Sequence, residues 1–358
     1  MTGSPGWTAW IMVLAVASQI ACGKGSSGPN SPTPVPTPTP TPTPVPSASS
    51  DLTFTADSGV RISNASNPAA GVDASGAVYL YYEDGASHQS MVAIASDGLN
   101  FSGAMRVSDS FRANDSRRAQ MPDGTWRLYQ WNTGTRIMGS LRSSDGVSFS
   151  SEAGTRYTPA SADNGTIGVY DAFTDGSQVV LLYLGDLMGA NNMRRAVSTD
   201  GGLTFSFDRG DLLGDQSAGG GSRTYVDPKQ IQLPDGRRRL FVMRLGTEIS
   251  SFVTSDGGRT FSMESGTRLT TTDFASLGAQ SLNDPVPVRL ADGRYRIYVA
   301  TKIGSSFSIV SATTGASGTP STPSTPGTLG TRPSPVPAVP GVPGVLVRPT
   351  SIRRGIPG

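Results

Sequence analysis

A short motif of small, acidic and aromatic residues occurs four times and constrains the fold of this chain more than any other feature. Each copy starts with Ser, contains Asp followed by Gly, and ends with Phe. An Asp side chain accepts hydrogen bonds from turn amides and Gly adopts positive φ, so each copy predicts a tight turn whose Phe packs between sheets. The phenylalanines are 48, 56 and 56 residues apart, and the copies occupy residues 96–101, 144–149, 198–205 and 255–261.

A second repeat precedes the turn motif, with Asp-Pro at its start and Asp-Gly near its middle. Residues 227–241 align without gaps on residues 284–298, at a constant offset of 57. The same frame fits Asp115 and, more loosely, Asn67, whereas the third unit has Ile167 in place of the leading Asp. A shifted register in the third unit would bring Asp163 or Asp171 into the pocket instead. This pattern predicts an inner strand, an Asp-Gly turn and an aromatic-rich second strand.

Each unit holds four predicted strands in about 47 to 57 residues, which is typical of a propeller blade. The fifth unit ends after its third strand, and residues 49–61 have the form of the missing outer strand. We therefore predict an all-β fold over residues 49–315: a five-bladed β-propeller of four-stranded antiparallel blades, closed by its N-terminal strand. The outer aromatic residues, one per blade, are Phe54, Phe101, Phe149, Phe205 and Phe261.

The two ends of the chain differ from this core in composition. Residues 23–48 form a Pro/Thr-rich stretch and residues 316–358 a Pro/Gly-rich tail, and both compositions favour disorder. Residues 10–21 are apolar but too few for a comfortable membrane span, so residues 1–22 are predicted to be a signal peptide. Cys22 follows Ala21, which resembles the bacterial lipoprotein cleavage box. That resemblance implies lipidation at Cys22 and an extracytoplasmic, membrane-anchored protein; a secretory signal without lipidation is the alternative.

Charge and residue counts exclude several classes of function. Residues 51–312 hold all 27 acidic residues and 24 of the 29 basic ones, so this core is slightly acidic and lacks the basic stripe of a nucleic-acid-binding protein. One cysteine forbids an intrachain disulfide, and the single histidine, His88, argues against a His-based triad or a multi-His metal site. We expect no cofactor, no metal and a monomer.

The candidate site lies where the predicted inner strands begin around the propeller axis. Carboxylates at three of these positions, Asp115, Asp227 and Asp284, are the catalytic candidates. The alternative is that each Asp caps a turn.

Arg127, Arg239 and Arg296 recur at one position of the second strand, which indicates packing between blades. The predicted substrate-binding residues are Asn67, Arg117, Lys229 and Tyr225; alternation places Arg117 and Lys229 beside the carboxylates, and Tyr225 offers a ring for stacking on a sugar.

Together the repeated Asp-Pro, Asp-Gly and Ser-x-Asp-Gly elements resemble the propeller glycosidases over nearly all of residues 49–315. The turn motif resembles the Asp-box (BNR repeat) of sialidase-like proteins, and the five blades with inner-strand carboxylates resemble furanosidase-type glycosidases. The resemblance implies a glycan or cell-surface polysaccharide as partner, and acid/base hydrolysis by paired carboxylates. Two functions remain open: a carbohydrate-active propeller that binds and hydrolyses glycans, and a non-catalytic scaffold that binds a protein or a glycan.

Overall fold

The computed structural model describes residues 52–107, 117–132, 135–186, 192–213 and 225–315. The predicted signal peptide, Cys22, the Pro/Thr-rich stretch, the tail and Asp115 lie outside these residues. Within them, no helix has the length and apolar character needed to cross a membrane.

The described strands form five antiparallel sheets, and these are the five blades of a β-propeller, as predicted. Two short 3-10 helices, Ser161–Asp163 and Thr271–Leu277, lie between blades. Blade one contains β3 (Ala65–Val72), β4 (Val78–Asp84), β5 (Ser90–Ala95) and β6 (Ser102–Arg106). Blade two contains β7 (Arg117–Gln120), β8 (Trp126–Asn132), β9 (Ile137–Ser143) and β10 (Ser150–Ser151). Blade three contains β11 (Ile167–Asp175), β12 (Gln178–Gly185), β13 (Asn192–Ser198) and β14 (Ser206–Arg209). Blade four contains β15 (Tyr225–Gln232), β16 (Arg238–Arg244), β17 (Glu248–Thr254), β18 (Ser262–Met263) and β19 (Leu269–Thr270). Blade five contains β20 (Asn283–Arg289), β21 (Tyr295–Ile303) and β22 (Ser306–Thr314), together with β1 (Phe54–Ala56) and β2 (Ile62–Ser63).

The N-terminal strand closes the ring, which confirms the predicted closure. β1 pairs with β22 in antiparallel register, with Phe54 opposite Thr314, and β2 pairs with the same strand. Asp57 follows β1, and its carboxylate accepts hydrogen bonds from Ser311 Oγ at 2.6 Å and Thr313 Oγ1 at 2.9 Å. It also pairs with Arg296 Nε at 3.2 Å, so closure by β1 brings a carboxylate to a buried cation of blade five.

Apolar side chains of the described residues form five buried clusters, and each cluster spans one interface between neighbouring blades. Leu80 of blade one packs with Tyr298 of blade five in one cluster, and Tyr81 of blade one packs with Leu128 of blade two in another. Each blade therefore buries both of its faces only because the ring is closed.

The Asp-containing turns hold neighbouring blades together. Asp97 Oδ1 accepts hydrogen bonds from the backbone N–H of Leu99 at 2.8 Å and Asn100 at 2.9 Å. In blade five, Tyr298 Oη donates to the Gly98 carbonyl at 2.6 Å, and Arg296 Nη1 donates to the Asp97 carbonyl at 2.7 Å.

The same contacts occur between other blades. Tyr129 Oη donates to the Gly202 carbonyl at 3.0 Å, and the Arg127 side chain contacts the Gly201 carbonyl. Arg127 and Arg239 also pair with outer-strand carboxylates, those of Glu152 and Glu264. The predicted packing between blades is confirmed for Arg127 and Arg296, whereas the Arg239–Glu264 pair lies within blade four.

We define the upper face of the propeller as the one where the inner strands β3, β7, β11, β15 and β20 begin. They end at the lower face, where the Asp-Gly turns lie. In the blade-four turn, Asp235 Oδ1 accepts from Arg237 N at 3.0 Å, and Gly236 has φ 86°. All five inner strands run from the upper to the lower face. Equivalent residues of the five blades therefore lie at the same height along one axis, and we call each such height a level.

Replacing Asp57 by Ala should lower the free energy of unfolding by about 3 kcal/mol, because the buried Arg296 then loses its carboxylate partner. Urea unfolding followed by tryptophan fluorescence measures this. The control is Glu248→Ala, which breaks a surface pair with Arg244 in which both side chains are about a third exposed; its cost should stay below about 1 kcal/mol. Equal costs for the two variants would contradict the closing role of Asp57.

The turn carboxylates should make the fold sensitive to acid. The backbone N–H groups of Asn100 and Leu99 and the Asn100 side-chain amide lower the pKa of Asp97 to about 2. A carboxylate with a lowered folded-state pKa stabilises the fold above about pH 4, and this stabilisation is lost as the pH falls toward 2. The Asp97→Asn protein should therefore lose less unfolding free energy than the wild type between pH 4 and pH 2. Identical slopes in chemical unfolding across this interval would show that Asp97 does not contribute.

Candidate functional site

Among the described residues, a bulge interrupts the inner strands of four blades close to the upper face. In β15, Val226 pairs with Met243 and Lys229 pairs with Phe241, so Asp227 and Pro228 together oppose one residue of β16. The bulges of β3 and β20 likewise hold Asn67-Pro68 and Asp284-Pro285. Proline has no N–H to donate and is tolerated at a bulge, where the hydrogen-bond ladder is already interrupted. The Asn/Asp-Pro repeat in the sequence therefore marks these bulges.

The residue that opens each of these three bulges has a left-handed backbone. The φ angles are 51° at Asn67, 55° at Asp227 and 49° at Asp284. Few residues other than glycine adopt this region, and Asn and Asp are among the most tolerant. Backbone geometry alone thus favours Asn or Asp here, independently of any chemistry that the side chains perform.

The structure brings two of the predicted catalytic carboxylates together. Asp227 Oδ2 accepts a hydrogen bond from the backbone N–H of Asp284 at 3.2 Å. Only 4% of Asp227 and 7% of Asp284 is exposed. Inner strands of neighbouring blades thus place two carboxylate residues side by side near the upper end of the axis.

Blade three has no carboxylate at the level of Asp227 and Asp284. The sequence alignment placed Ile167 at this level, but the structure places a different residue there. β11 continues to Asp175 and turns through two residues, so its Asp-Gly pair lies one residue closer to the bulge than in blade four. The counterpart of Asp227 is therefore Gly168, followed by Val169 at φ 36°. Ile167, which the gap-free alignment had placed here, pairs with Gly185 and is buried in an apolar cluster.

Below the bulges lies an axial cavity of about 100 Å³. Lys229, a predicted binding residue, lines it and is only 2% exposed; its Nζ donates to the Tyr170 carbonyl at 3.2 Å and the Pro228 carbonyl at 3.1 Å. Asp171 also lines it, and Asp171 Oδ2 accepts from Gln230 N at 2.8 Å. Every blade contributes inner-strand residues to this lining, which consists of Ala69, Ala70, Arg118, Asp171, Ala172, Lys229, Gln230, Val286 and Pro287.

Asn67 connects the bulge of blade one to a carboxylate and an imidazole. Its Nδ2 donates to Glu83 Oε2 at 2.9 Å, and Glu83 Oε1 lies 2.9 Å from His88 Nδ1. The His88 side chain is 63% exposed, and the backbone of this residue is left-handed with φ 54°. A glutamate therefore lies at the upper face beside Asn67, on the second strand rather than the inner one.

The remaining predicted residues are placed as follows. Tyr225 begins β15, but its ring packs edge-on against Phe252 at 5.2 Å and its Oη lies 3.9 Å from Met263 Sδ, so it faces the outer strands of blade four. Arg117 begins β7 opposite Tyr129, and its side chain lies outside the description. Among the described residues, no group of His, Cys, Asp or Glu has an arrangement that could hold a metal ion.

Sequence reasoning did not select Glu83, Arg118 or Gln230 as site residues, and it left Asp171 as an alternative that required a shifted register. The sequence feature that could have placed Asp171 at the axis is the hairpin of blade three, because its two-residue turn shifts the register of β11. The sequence repeat does not identify Glu83 as a site residue, because its position at the site depends on a local contact with Asn67.

Comparison with known proteins shows a likeness of fold alone. No protein-family model matches the chain, and no curated protein matches it in sequence. The chain is similar to the catalytic domain of a GH62 alpha-L-arabinofuranosidase from Coprinopsis cinerea, with 10% identity over 74% of this chain and 98% of that one and a TM-score of 0.58.

Two further solved structures show the same likeness. An alpha-L-arabinofuranosidase from Podospora anserina, in complex with cellotriose, has 10% identity over 73% of this chain and 94% of that one, with a TM-score of 0.53. An endo-arabinase from Bacteroides thetaiotaomicron VPI-5482 has 14% identity over 72% and 95%, with a TM-score of 0.53. The chain is a five-bladed β-propeller with structural neighbours among the glycoside hydrolases. Its resemblance to sialidases stays a prediction from the sequence.

The left-handed bulge can be tested separately from any function. Asp284→Ala should cost about 1–2 kcal/mol more unfolding free energy than Asp284→Asn, because Ala resists the left-handed region that Asn tolerates. Parallel denaturant titrations of the two variants measure the difference. If Ala and Asn are equally tolerated, the backbone does not select the residue type at this position.

Proposed function

We propose that this protein is a carbohydrate-active propeller that binds a glycan at its upper face. The observation that carries the proposal is the convergence of Asp227 and Asp284 from neighbouring inner strands, at the end of the axis where the bulges lie. Carboxylate and amide groups placed at one end of an axis suit the donor and acceptor groups of sugar hydroxyls.

Further polar groups at the upper face extend this surface. Asn67 presents an amide from blade one, and Glu83 and His88 adjoin it through hydrogen bonds of 2.9 Å. Because Glu83 Oε1 fixes the Nδ1 side of the imidazole, the exposed Nε2 is the ring nitrogen left to meet a ligand. In this proposal blades one, four and five each contribute polar groups to the glycan.

The solved structures named above support the choice of ligand class. They comprise two arabinofuranosidases and an endo-arabinase, and one of them was solved with an oligosaccharide. At 10% to 14% identity this likeness is one of fold, so the particular sugar follows only from experiment. The predicted lipid at Cys22 belongs to the same proposal, since it would hold the propeller at the cell envelope among surface polysaccharides.

Binding is better supported than hydrolysis. Hydrolysis of a glycosidic bond needs two carboxyl groups on either side of that bond, one protonated and one ionised. Asp227 instead accepts a backbone hydrogen bond from Asp284, so one oxygen of this carboxylate already has a partner within the protein. Glycoside hydrolysis remains the second candidate because two carboxylate residues do meet at the axis.

The test measures affinity for arabinan, galactan, xylan and xyloglucan fragments by calorimetry. Asp227→Asn and Asp284→Asn should each weaken binding about 10- to 100-fold, the loss expected for a hydrogen bond to a charged group. Asp235→Asn and Asp292→Asn change the Asp-Gly turns of the same two blades at the lower face, and they should leave affinity unchanged.

Three outcomes separate the alternatives. If Asp227→Asn and Asp284→Asn fold normally and bind every fragment as the wild type does, the glycan site is not at these residues. If the wild type also cleaves aryl glycosides and either variant abolishes turnover while retaining affinity, the protein is a hydrolase. Binding by the wild type that is lost in both variants, without turnover, supports the non-catalytic form of the proposal.

A further inference from the structure

The hairpin between β16 and β17 of blade four ends in a turn with an unusual residue. Leu245 and Gly246 have φ angles of 53° and 73°, and Thr247 N donates to the Arg244 carbonyl at 3.2 Å, which are features of a type I′ turn. The first central position of such a turn favours Asn, Asp or Gly, because bulky side chains resist positive φ. A leucine there stores backbone strain that Asn in its place would relieve.

Packing within the protein does not explain the leucine either. Leu245 is 60% exposed, the largest exposed fraction among the large apolar side chains of the described residues. The equivalent turn of blade five, between β21 and β22, has Gly304 at φ 62°, a residue type that fits this backbone. Leu245 therefore brings backbone strain and an apolar side chain in water to the same position. Strain of this kind clusters at positions that contact ligands.

The turn is joined to the segment that leads to Asp284. The Gly246 carbonyl accepts a hydrogen bond from Leu282 N at 2.8 Å, and Leu282 precedes Asp284 by two residues. Two residues of chain span about 7 Å at most, so the turn lies close to the upper end of β20.

The turn also borders the strand that carries Asp227. Arg244, at the base of the turn, pairs with Tyr225 at the start of β15, and Tyr225 precedes Asp227 by two residues. Both β15 and β20 run from the upper face downward, so the turn lies on the solvent side of the level that holds Asp227 and Asp284. A ligand that reaches these carboxylates and extends out of the axis over blades four and five passes the turn.

We propose that Leu245 is a specificity-determining residue of the glycan site, and that it packs on the C–H face of a second sugar residue when Asp227 and Asp284 bind the first. The inference rests on the function proposed above and defines its ligand as an oligosaccharide of at least two residues rather than a single sugar. Covering the exposed leucine with the C–H face of a sugar ring removes apolar surface from water. This gain exists only in the complex, which accounts for an apolar side chain at a strained and exposed position.

The Leu245→Asn variant tests both consequences of this arrangement. Asn tolerates the left-handed turn, so the unfolding temperature should rise by about 2 °C in thermal denaturation. Affinity is measured by calorimetry with arabinan, galactan, xylan and xyloglucan fragments of one to four sugar residues. The variant should bind the single sugar as the wild type does and bind longer fragments about 5- to 10-fold more weakly, because the apolar contact is lost.

Two further variants serve as controls. Leu245→Met keeps an apolar side chain at the turn and should retain the affinity for the longer fragments. Leu203→Asn makes the same replacement at a leucine that is 40% exposed and lies in the turn between β13 and β14 of blade three, at the lower face. This variant should leave every affinity unchanged.

The proposal is overturned if Leu245→Asn binds fragments of every length as the wild type does, or if it loses equal affinity for the single sugar and the tetrasaccharide. An unfolding temperature that does not rise overturns it as well. If Asp227→Asn weakens binding in the same titrations, the glycan site itself stands despite such a result. If the wild type binds no fragment, the proposed function fails, and the role of Leu245 fails with it.

Discussion

Closure of the ring by the N-terminal strand is the constraint on which the rest of the structure depends. Each buried apolar cluster of the described chain lies between two blades, so an open ring would expose two blade faces as well as the unpaired edge of β22. Pairing of β1 with β22 covers that edge, and Asp57 neutralises Arg296 in the same step. The closed ring also sets the inner strands around one axis. This is why residues more than fifty positions apart in sequence, such as Asp227 and Asp284, become neighbours.

The backbone and the chemistry of the site impose related demands. A left-handed bulge near the upper face favours Asn, Asp or Gly, and a following proline fits where the ladder is interrupted. The same bulges set Asn67, Asp227 and Asp284 at one level of the axis. The two interpretations of the sequence repeat, turn capping and ligand binding, are therefore compatible in a single residue. Asn in place of Asp separates them, because it retains the backbone geometry and removes the charge.

The fold was predictable from the sequence because its determinants are local and repeated. Asp-Gly turns, one outer aromatic residue per blade, and an incomplete fifth unit matched by residues 49–61 indicate five blades and their closure. The site was predictable only in part. The two-residue turn of blade three shifts the register of β11, so the gap-free alignment misjudged the level of Ile167, and it could bring Asp171 to the axis only through such a shift. The position of Glu83 depends on its contact with Asn67 on the neighbouring strand, and the position of Arg118 depends on its contacts with Trp126 and Gly71. The sequence repeat encodes neither set of contacts.

The central claim is that the upper end of the axis, where Asp227 and Asp284 meet, receives a glycan. A crystal structure of the protein soaked with the tightest-binding oligosaccharide from the affinity screen tests it most directly. The account predicts electron density for a sugar at the upper face, with its hydroxyls within hydrogen-bond distance of the Asp227 or Asp284 carboxylate and of the Asn67, Glu83 and His88 group. A sugar bound at the lower face or along an outer strand, with the upper face empty, would contradict it.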